Sequence, residues 1–337
     1  MTVVVTGACG HIGANLVRAL IDSGRPVRSL VHVHDRGIAG LDTELVRGDV
    51  CDPESLYRAF RDAEVVYHLA GCISLSMKDW PKLEAINVIG TRNVVEACLK
   101  TGVRRLVYFS SIHALQQEPL SVPVDESRPL KESPGFPPYD RSKALGEIEV
   151  RRAIENGLDA VILNPTAVVG PHDYEPSYLG RAILDMARHK LPALVTGGYD
   201  WVDVRDVVSG AITAEKEGVC GTGYILSGHW LSLRDIADMV MEITGTPPPR
   251  LTVPLWLARL GVPVVSVMSK LSGKTPLYTS FSLKAVESNR NMSHEKAARE
   301  LDYHPRPFRE TLADTLQWFK DNNRLSLSVK QEGGKSA

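Results

Sequence analysis

The sequence predicts an α/β protein: a doubly wound parallel sheet with a smaller C-terminal lobe. Three observations carry the prediction. Short β-branched runs alternate with helical apolar stripes from the N-terminus to about residue 165, the pattern of successive βαβ units. Three glycines, Gly7, Gly10 and Gly13, lie where the first of those runs passes into the first stripe. The 337 residues suffice to bury a large core in one extended unit or in two lobes.

Thr2-Val3-Val4-Val5 is a short apolar run suited to a buried parallel strand. Ile12, Leu16, Val17, Leu20 and Ile21 follow at helical spacing, so a helix closes near Asp22 and a second strand spans 26–31. The glycines therefore sit in a strand-to-helix turn. Gly7 permits the tight turn, Gly10 lets the backbone approach a pyrophosphate, and Gly13 lets helix and strand pack closely. The helix N-terminus offers unpaired N–H groups to the phosphates. Cys9, His11 and Ile12 lie within the same turn.

Further along, 54–61 reads as a second helix and 81–100 as a long third one. Val65-Val66-Tyr67-His68-Leu69-Ala70-Gly71 and Leu106-Val107-Tyr108-Phe109 read as buried strands. A proline-rich loop at 118–138 separates Ser110 and Ser111 from a helix opened by Tyr139. The dinucleotide-binding part is expected over 1–165 with return segments near 200–227, a substrate lobe mainly over 166–325, and a disordered tail at 326–337. There are no internal repeats.

Tyr139 and Lys143 are four residues apart on that helix and share a face. An ammonium near a phenol stabilises the phenolate and lowers its pKa from about 10. Tyr139 is then a proton donor to a carbonyl oxygen, or an acceptor from an alcohol.

The glycines at 7, 10 and 13, with Tyr139-Asp140-Arg141-Ser142-Lys143 downstream, resemble the short-chain dehydrogenase/reductase superfamily in its extended branch, the NAD-dependent epimerase/dehydratase family. The resemblance implies a Rossmann-type fold and covers nearly the whole chain. Gly48-Asp49-Val50 looks like the adenine-contacting turn, and Leu69-Ala70-Gly71 ends the strand under the cofactor. Asn87-Val88-Ile89-Gly90-Thr91 resembles the helix carrying the structural and proton-relay Asn, here Asn87. Ser111 falls at the position of the catalytic serine, with Ser110 as the alternative. The resemblance gives Ser111 the task of holding the substrate oxygen. It gives Asn87 a water-mediated proton path to Lys143, and Lys143 a bond to the nicotinamide ribose.

Leu163-Asn164-Pro165-Thr166-Ala167-Val168-Val169-Gly170-Pro171 looks most like dihydroflavonol-4-reductase relatives, and Ser111-Ile112 is similar to 3β-hydroxysteroid dehydrogenases. Asn164 and Thr166 join the expected cofactor contacts. The absence of an acidic pair after Ser111 disfavours dehydration. The implied reaction is hydride transfer between nicotinamide and a carbonyl or alcohol of a bulky molecule. The alternatives are a sugar or sugar-nucleotide epimerase that keeps its NAD, and a cofactor sensor without turnover. A carboxylate at the end of the second strand would favour NAD; His32 stands there, followed by His34, Asp35 and Arg36, which tilts the choice toward NADP.

Residues 73–80 follow the fourth strand, where ligands meet an open α/β sheet; Trp80 either stacks on a ring or caps a helix. His113 either touches substrate or makes a structural bond, and Tyr174, Tyr178, Trp201 and His229 are candidate walls. Net charge is −1, which gives no electrostatic case for nucleic acid or an anionic membrane. Residues 251–268 are apolar, but Pro254, Arg259, Gly261 and Pro263 break them, so no integral span is expected there. The five cysteines lack paired spacing and read as small buried hydrophobes in a reducing compartment, with no metal site. A strand beginning at residue 2 argues against a secretory signal and for a cytoplasmic protein. Members of the family often form homodimers through a helix bundle that here includes the Tyr139 helix.

Overall fold

A computed structural model of the chain describes residues 2–261 and 280–325. The first half winds β1 (Thr2–Thr6), α1 (His11–Asp22), β2 (Val27–Val31), β3 (Glu44–Arg47), α2 (Pro53–Phe60) and β4 (Ala63–His68). It continues through α3 (Trp80–Leu83), α4 (Gly90–Thr101), β5 (Arg105–Phe109), α5 (Pro138–Glu155) and β6 (Ala160–Pro165). Next come β7 (Ala167–Val169), α6 (Tyr178–Ala187), β8 (Leu194–Val195), β9 (Gly198–Asp203), α7 (Val204–Glu217) and β10 (Gly223–Leu226). The remainder comprises β11 (His229–Ser232), α8 (Leu233–Thr244), β12 (Thr252–Val253), α9 (Ser280–Ala285), α10 (Glu295–Leu301) and α11 (Phe308–Asp321).

Seven strands form one sheet in the order β10-β6-β5-β4-β1-β2-β3, and every neighbouring pair is parallel. Because side chains alternate along a strand, the near-continuous valines of β1 serve two cores. Val3 and Val5 pack with Tyr67, Leu16, Val17 and Ala211 on the α1/α7 face. Val4 packs with Val66, Leu56, Phe60, Val94 and Val150 on the α2/α4/α5 face. The chain leaves β1 to one side for β2 and returns on the other for β4. The carboxyl end of β1 is therefore the switch point at which doubly wound sheets take their ligands.

The lobe is built on the sheet β11-β9-β7 and the pair β12-β8, with α6, α8 and α11 closing a third core around Trp201, Ile183, Ile236 and Phe319. Between 198 and 226 the chain visits both parts: β9 lies in the small sheet, β10 in the large one.

Two expectations are corrected. The helix expected over 81–100 is interrupted: after α3, residues Glu84–Ile89 form a π-helical turn before α4 begins. Such bulges gather at functional sites, and Asn87 lies in this one. The cysteines are not uniformly buried: Cys98 is, Cys9 and Cys72 are partly so, and Cys51 and Cys220 are exposed; all five are free. No described helix is long and apolar enough to cross a membrane. Residues 262–268 of the apolar stretch, and the tail at 326–337, lie outside the described residues.

Candidate active site

The glycine turn is a wall made of backbone. Gly7 adopts φ +69°, and a Cβ there would come within 2.5 Å of the Ala70 nitrogen. A Cβ on Gly13 would lie 2.2 Å from the Gly7 carbonyl oxygen, so only hydrogen fits. Gly10 is more open: its Cβ would meet only the Gly7 oxygen, at 3.4 Å. Gly7, Gly10, His11, Ile12 and Gly13 all line one cavity of about 450 Å³, together with Leu69 and Gly71. With the free amides of the first turn of α1, this cradle fits the pyrophosphate of a dinucleotide. The His11 ring is turned away and hydrogen-bonds the carbonyls of Gly170 (3.2 Å) and Pro171 (3.0 Å), while Asn15 Nδ2 donates to Pro171 as well (3.0 Å). The cradle is thus stapled to the segment that enters the lobe.

Several predicted contacts lie beyond the cavity wall. Cys9 packs against the core, where burial pushes its thiol up to about 11. The Ala70 amide donates to Thr6 Oγ1 (3.2 Å). Val50 is buried, and its carbonyl accepts from Asn93 Nδ2 (2.9 Å). His32 and Asp49 meet at the carboxyl ends of β2 and β3, with Nε2 3.2 Å from Oδ2. Asp49 Oδ1 accepts from the Cys51 amide (2.9 Å). Asp35 is drawn instead to Arg47, 3.5 Å away.

Ser110, Ser111, Tyr139 and Lys143 converge on the cavity where β5 ends and α5 begins. Ser111 caps the short 3₁₀ turn Ile112–Ala114, its Oγ accepting from the His113 amide (3.2 Å). The Ser111 side chain acts on the Tyr139 phenol, drawing its pKa down against burial. Ser110 Oγ, by contrast, is buried without a partner.

Lys143 does not lower the Tyr139 pKa as the helical spacing suggests. Its Nζ donates to the Phe109 carbonyl (2.7 Å) and lies 5.1 Å from the Tyr108 ring centroid. Burial dominates both groups: it holds Tyr139 up at about 12 against Ser111, and draws Lys143 down to about 8 against Glu147. The phenol is therefore a stored proton at neutral pH.

Asn87 acts as a clamp. Its Oδ1 accepts from the Cys72 amide (2.7 Å), and its Nδ2 donates to the Cys72 carbonyl (2.9 Å) and to Ser142 Oγ (2.9 Å). Ser142 in turn donates to the Tyr139 carbonyl (2.8 Å). The Asn87 carbonyl is already taken by Thr91 Oγ1 (2.8 Å), so a buried relay runs from Thr6 through His68 and Thr91 to Asn87. Since Thr91 spends its proton on Asn87, His68 must donate from Nε2 and accept at Nδ1. Burial keeps that imidazole neutral, its pKa drawn down to about 3. These contacts hold Asn87 behind the cavity wall, which it does not line.

Asn164 also turns inward, donating to the Ser111 carbonyl (3.2 Å) and Glu147 Oε2 (3.1 Å). Thr166 lines the cavity and donates to Asp200 Oδ1 (2.7 Å). Asp200 accepts from the Gly228 amide as well (2.8 Å), and burial raises its carboxyl to about 6.

The rest of the cavity wall is apolar: Ile73, Leu75, Leu179, Met186, Leu191 and Met292 are representative. Of the proposed aromatic walls, Tyr178 and Trp201 face the cavity. Tyr174 instead packs on Arg18 and Trp318, and His229 bonds the Arg306 carbonyl (3.0 Å). Trp80 opens α3 and carries the Arg141 guanidinium 4.1 Å from its ring centroid. Sequence reasoning missed the wall at 285–292, which has no motif and reaches the cavity only through tertiary folding.

The chain is similar in sequence and fold to several known proteins. A protein named sterol demethylase protein B, from Methylococcus capsulatus, is 34% identical over 96% of this chain and 100% of its own length. A putative dihydroflavonol 4-reductase from Synechocystis is 34% identical over 94% of each chain. The crystal structure of gox2253 superposes with a TM-score of 0.84 at 36% identity, covering 96% of this chain and 99% of that one. The description of the NAD dependent epimerase/dehydratase family matches residues 3–225, and with the glycine cradle and the Ser111–Tyr139 pair in place the chain belongs to that family, as an NAD(P)-dependent oxidoreductase of the extended short-chain type.

Proposed function

We propose that the protein interconverts a ketone and a secondary alcohol on a bulky, largely apolar molecule, with NADP preferred over NAD. The observation that carries this reading is the convergence of Ser111, Tyr139 and Lys143 on one cavity shared by the glycine cradle and the apolar wall. A bound nicotinamide supplies or receives the hydride. In reduction, the Ser111 hydroxyl holds the carbonyl oxygen and Tyr139 gives it a proton as negative charge develops. Burial keeps the phenol protonated until that charge appears, which suits it as the acid. Lys143, anchored on the Phe109 carbonyl and on the same helix face as Tyr139, would hold the nicotinamide ribose. Asn87 and Ser142 hold the start of α5, and with it Tyr139, in register.

Preference for NADP rests on the end of β2. No carboxylate occupies position 32, the nearby Asp35 is engaged by Arg47, and Arg36, exposed just beyond β2, is a cation of the same loop for a 2′-phosphate. NADPH should bind at least about tenfold tighter than NADH, a difference of about 1.4 kcal/mol, and His32→Asp should erase it. Equal affinities in the wild type would remove the preference.

Tyr139→Phe tests the chemistry: turnover of ketones should fall by 10²-fold or more, the usual contribution of a positioned acid, with NADPH affinity within about threefold. Turnover at the wild-type rate in that variant would refute the mechanism. Nucleotide released from freshly purified, denatured protein separates the rival reading. Stoichiometric retained NAD would indicate an epimerase, which re-reduces its own intermediate.

A further inference from the structure

We propose that the edge of the lobe formed by Leu251, Trp256, Leu257 and Leu260 docks on an anionic phospholipid bilayer, the protein lying on that surface without crossing it.

The edge is built by a proline. Pro254 follows β12 and opens a helical turn over 255–261, its carbonyl accepting from the Leu257 and Ala258 amides (both 3.0 Å). Leu255 and Ala258 pack inward on the core that contains Leu283 and Val286. The remaining apolar side chains are left outside: Trp256 is 65% exposed, Leu257 46% and Leu260 68%, and Leu251, just before β12, is 65% exposed. Their backbone is held firmly. The Leu251 carbonyl accepts from the Leu194 amide (2.9 Å), the Val253 carbonyl accepts from the Thr196 amide (3.0 Å), and Arg259 is ion-paired with Glu287. Single exposed hydrophobes are ordinary on a protein surface; a cluster carried on one fixed edge marks a contact surface.

Charge selects the occupant. From Ile243 to Val286 the sequence has no Asp or Glu, yet it carries Arg250, Arg259, Lys270, Lys274 and Lys284. Arg259 is taken by Glu287, Arg250 and Lys284 are exposed, and Lys270 and Lys274 lie outside the described residues. The net charge of −1 for the whole chain hides this local excess. An apolar edge with an indole on it and cations beside it matches the boundary between acyl chains and anionic headgroups. Indoles settle at that boundary, and Lys and Arg reach the phosphates. A second copy of the chain fits less well, because a two-fold contact would set the same cations against each other.

The inner side of this edge borders the cavity. Val286, in the core that Leu255 and Ala258 join, also lines the cavity, as does Leu191 of the same core. Docking would bring the apolar end of the cavity close to the lipid in which a bulky apolar substrate dissolves. That consequence rests on the ketone and alcohol reading above; the docking itself does not.

Flotation of the full chain with vesicles tests the surface. At about 0.15 M salt the protein should float with vesicles of equal phosphatidylglycerol and phosphatidylcholine, and bind pure phosphatidylcholine at least about fivefold more weakly. The double variant Trp256→Ser/Leu260→Ser should weaken binding to the mixed vesicles at least about tenfold. Arg250→Gln/Lys284→Gln should also weaken it about tenfold, with little change on pure phosphatidylcholine. Val219→Ser, which removes an exposed apolar side chain outside the edge, should bind as the wild type does. A wild type that stays in solution with both vesicles, or a Trp256→Ser/Leu260→Ser variant that floats as well as the wild type, would overturn the docking. So would a wild-type dimer on gel filtration that this variant converts to monomer, which would assign the edge to a second copy. NADPH-dependent turnover of a short, water-soluble ketone is measured alongside and should be the same in every variant. Flotation as expected with no turnover of any ketone would sustain the docking and overturn the ketone and alcohol reading alone.

Discussion

At Gly13 one added methyl would lie 2.2 Å from a backbone oxygen; at Met186, elsewhere in the wall of the same cavity, a whole flexible side chain fills the space. The dinucleotide side shapes its ligand with backbone, which cannot move aside. The lobe shapes its ligand with side chains, which can repack. The first kind of wall demands particular residues at particular spacings. The second demands only that volume and apolarity be about right. The difference teaches where specificity for the shared cofactor ends and specificity for the private substrate begins.

The sharpest way to break this comparison is Gly13→Ala. It should cost at least about 4 kcal/mol and abolish cofactor binding, read by thermal melting and NADPH titration. A well-folded variant with wild-type affinity would show that the cradle yields after all.

Asp200→Asn probes a buried carboxyl of the lobe in the cavity wall. Its folded pKa, about 6, stands above the ordinary carboxyl value of 3.8, so the folded state prefers the protonated form. That preference supports folding fully below pH 3.8 and is lost as pH rises through about 6. Asn keeps acceptors for Thr166 and Gly228 without the charge. It should therefore stabilise the protein by up to about 3 kcal/mol at pH 8 and change little at pH 3.5. Urea melts at the two pH values decide; equal effects at both would remove the desolvation argument.

Met186→Ala should cost about 2 kcal/mol, the low end for such a truncation because the site already borders open space. It should raise KM for a bulky ketone while leaving the NADPH dissociation constant alone. Gly10→Ala is the smallest expected change to the fold, under about 1 kcal/mol, since its Cβ has only the 3.4 Å contact to meet. Its effect should appear in cofactor affinity, because Gly10 faces the cavity. If Met186→Ala weakened the cofactor more than Gly10→Ala did, the division between the two walls would fail.

The same contrast explains what was legible in the chain. The β1–turn–α1 unit could be read because Gly7 and Gly13 are forced by contacts only a few residues away in sequence or imposed by φ. Tyr139 and Lys143 could be placed together because helical spacing is local. The π turn at Asn87 could not: 81–100 carries a good helical pattern throughout, and the bulge is held by Cys72 and Ser142, which tertiary folding brings to it. The resemblance of residues 163–171 marks Asn164 as a cofactor contact, and in the structure its amide donates to Glu147 and to the Ser111 carbonyl, partners the sequence does not announce. The helix spacing of Tyr139 and Lys143 also promised a lowered phenol pKa, but the ammonium's nearest acceptor proved to be the Phe109 carbonyl. The Asp140–His113 pair spans a loop with no periodicity to announce it.

The backbone cradle has a consequence for how such a protein can diverge. A wall without side chains offers natural variation nothing to adjust, so lineages that change coenzyme must do so elsewhere. Under the reading proposed above, His32, Arg36 and Arg47, exposed at the rim beyond β2 and β3, would be free to drift without disturbing the glycine turn. Coenzyme identity would then be a trait open to change on a turn whose contacts leave no room for it.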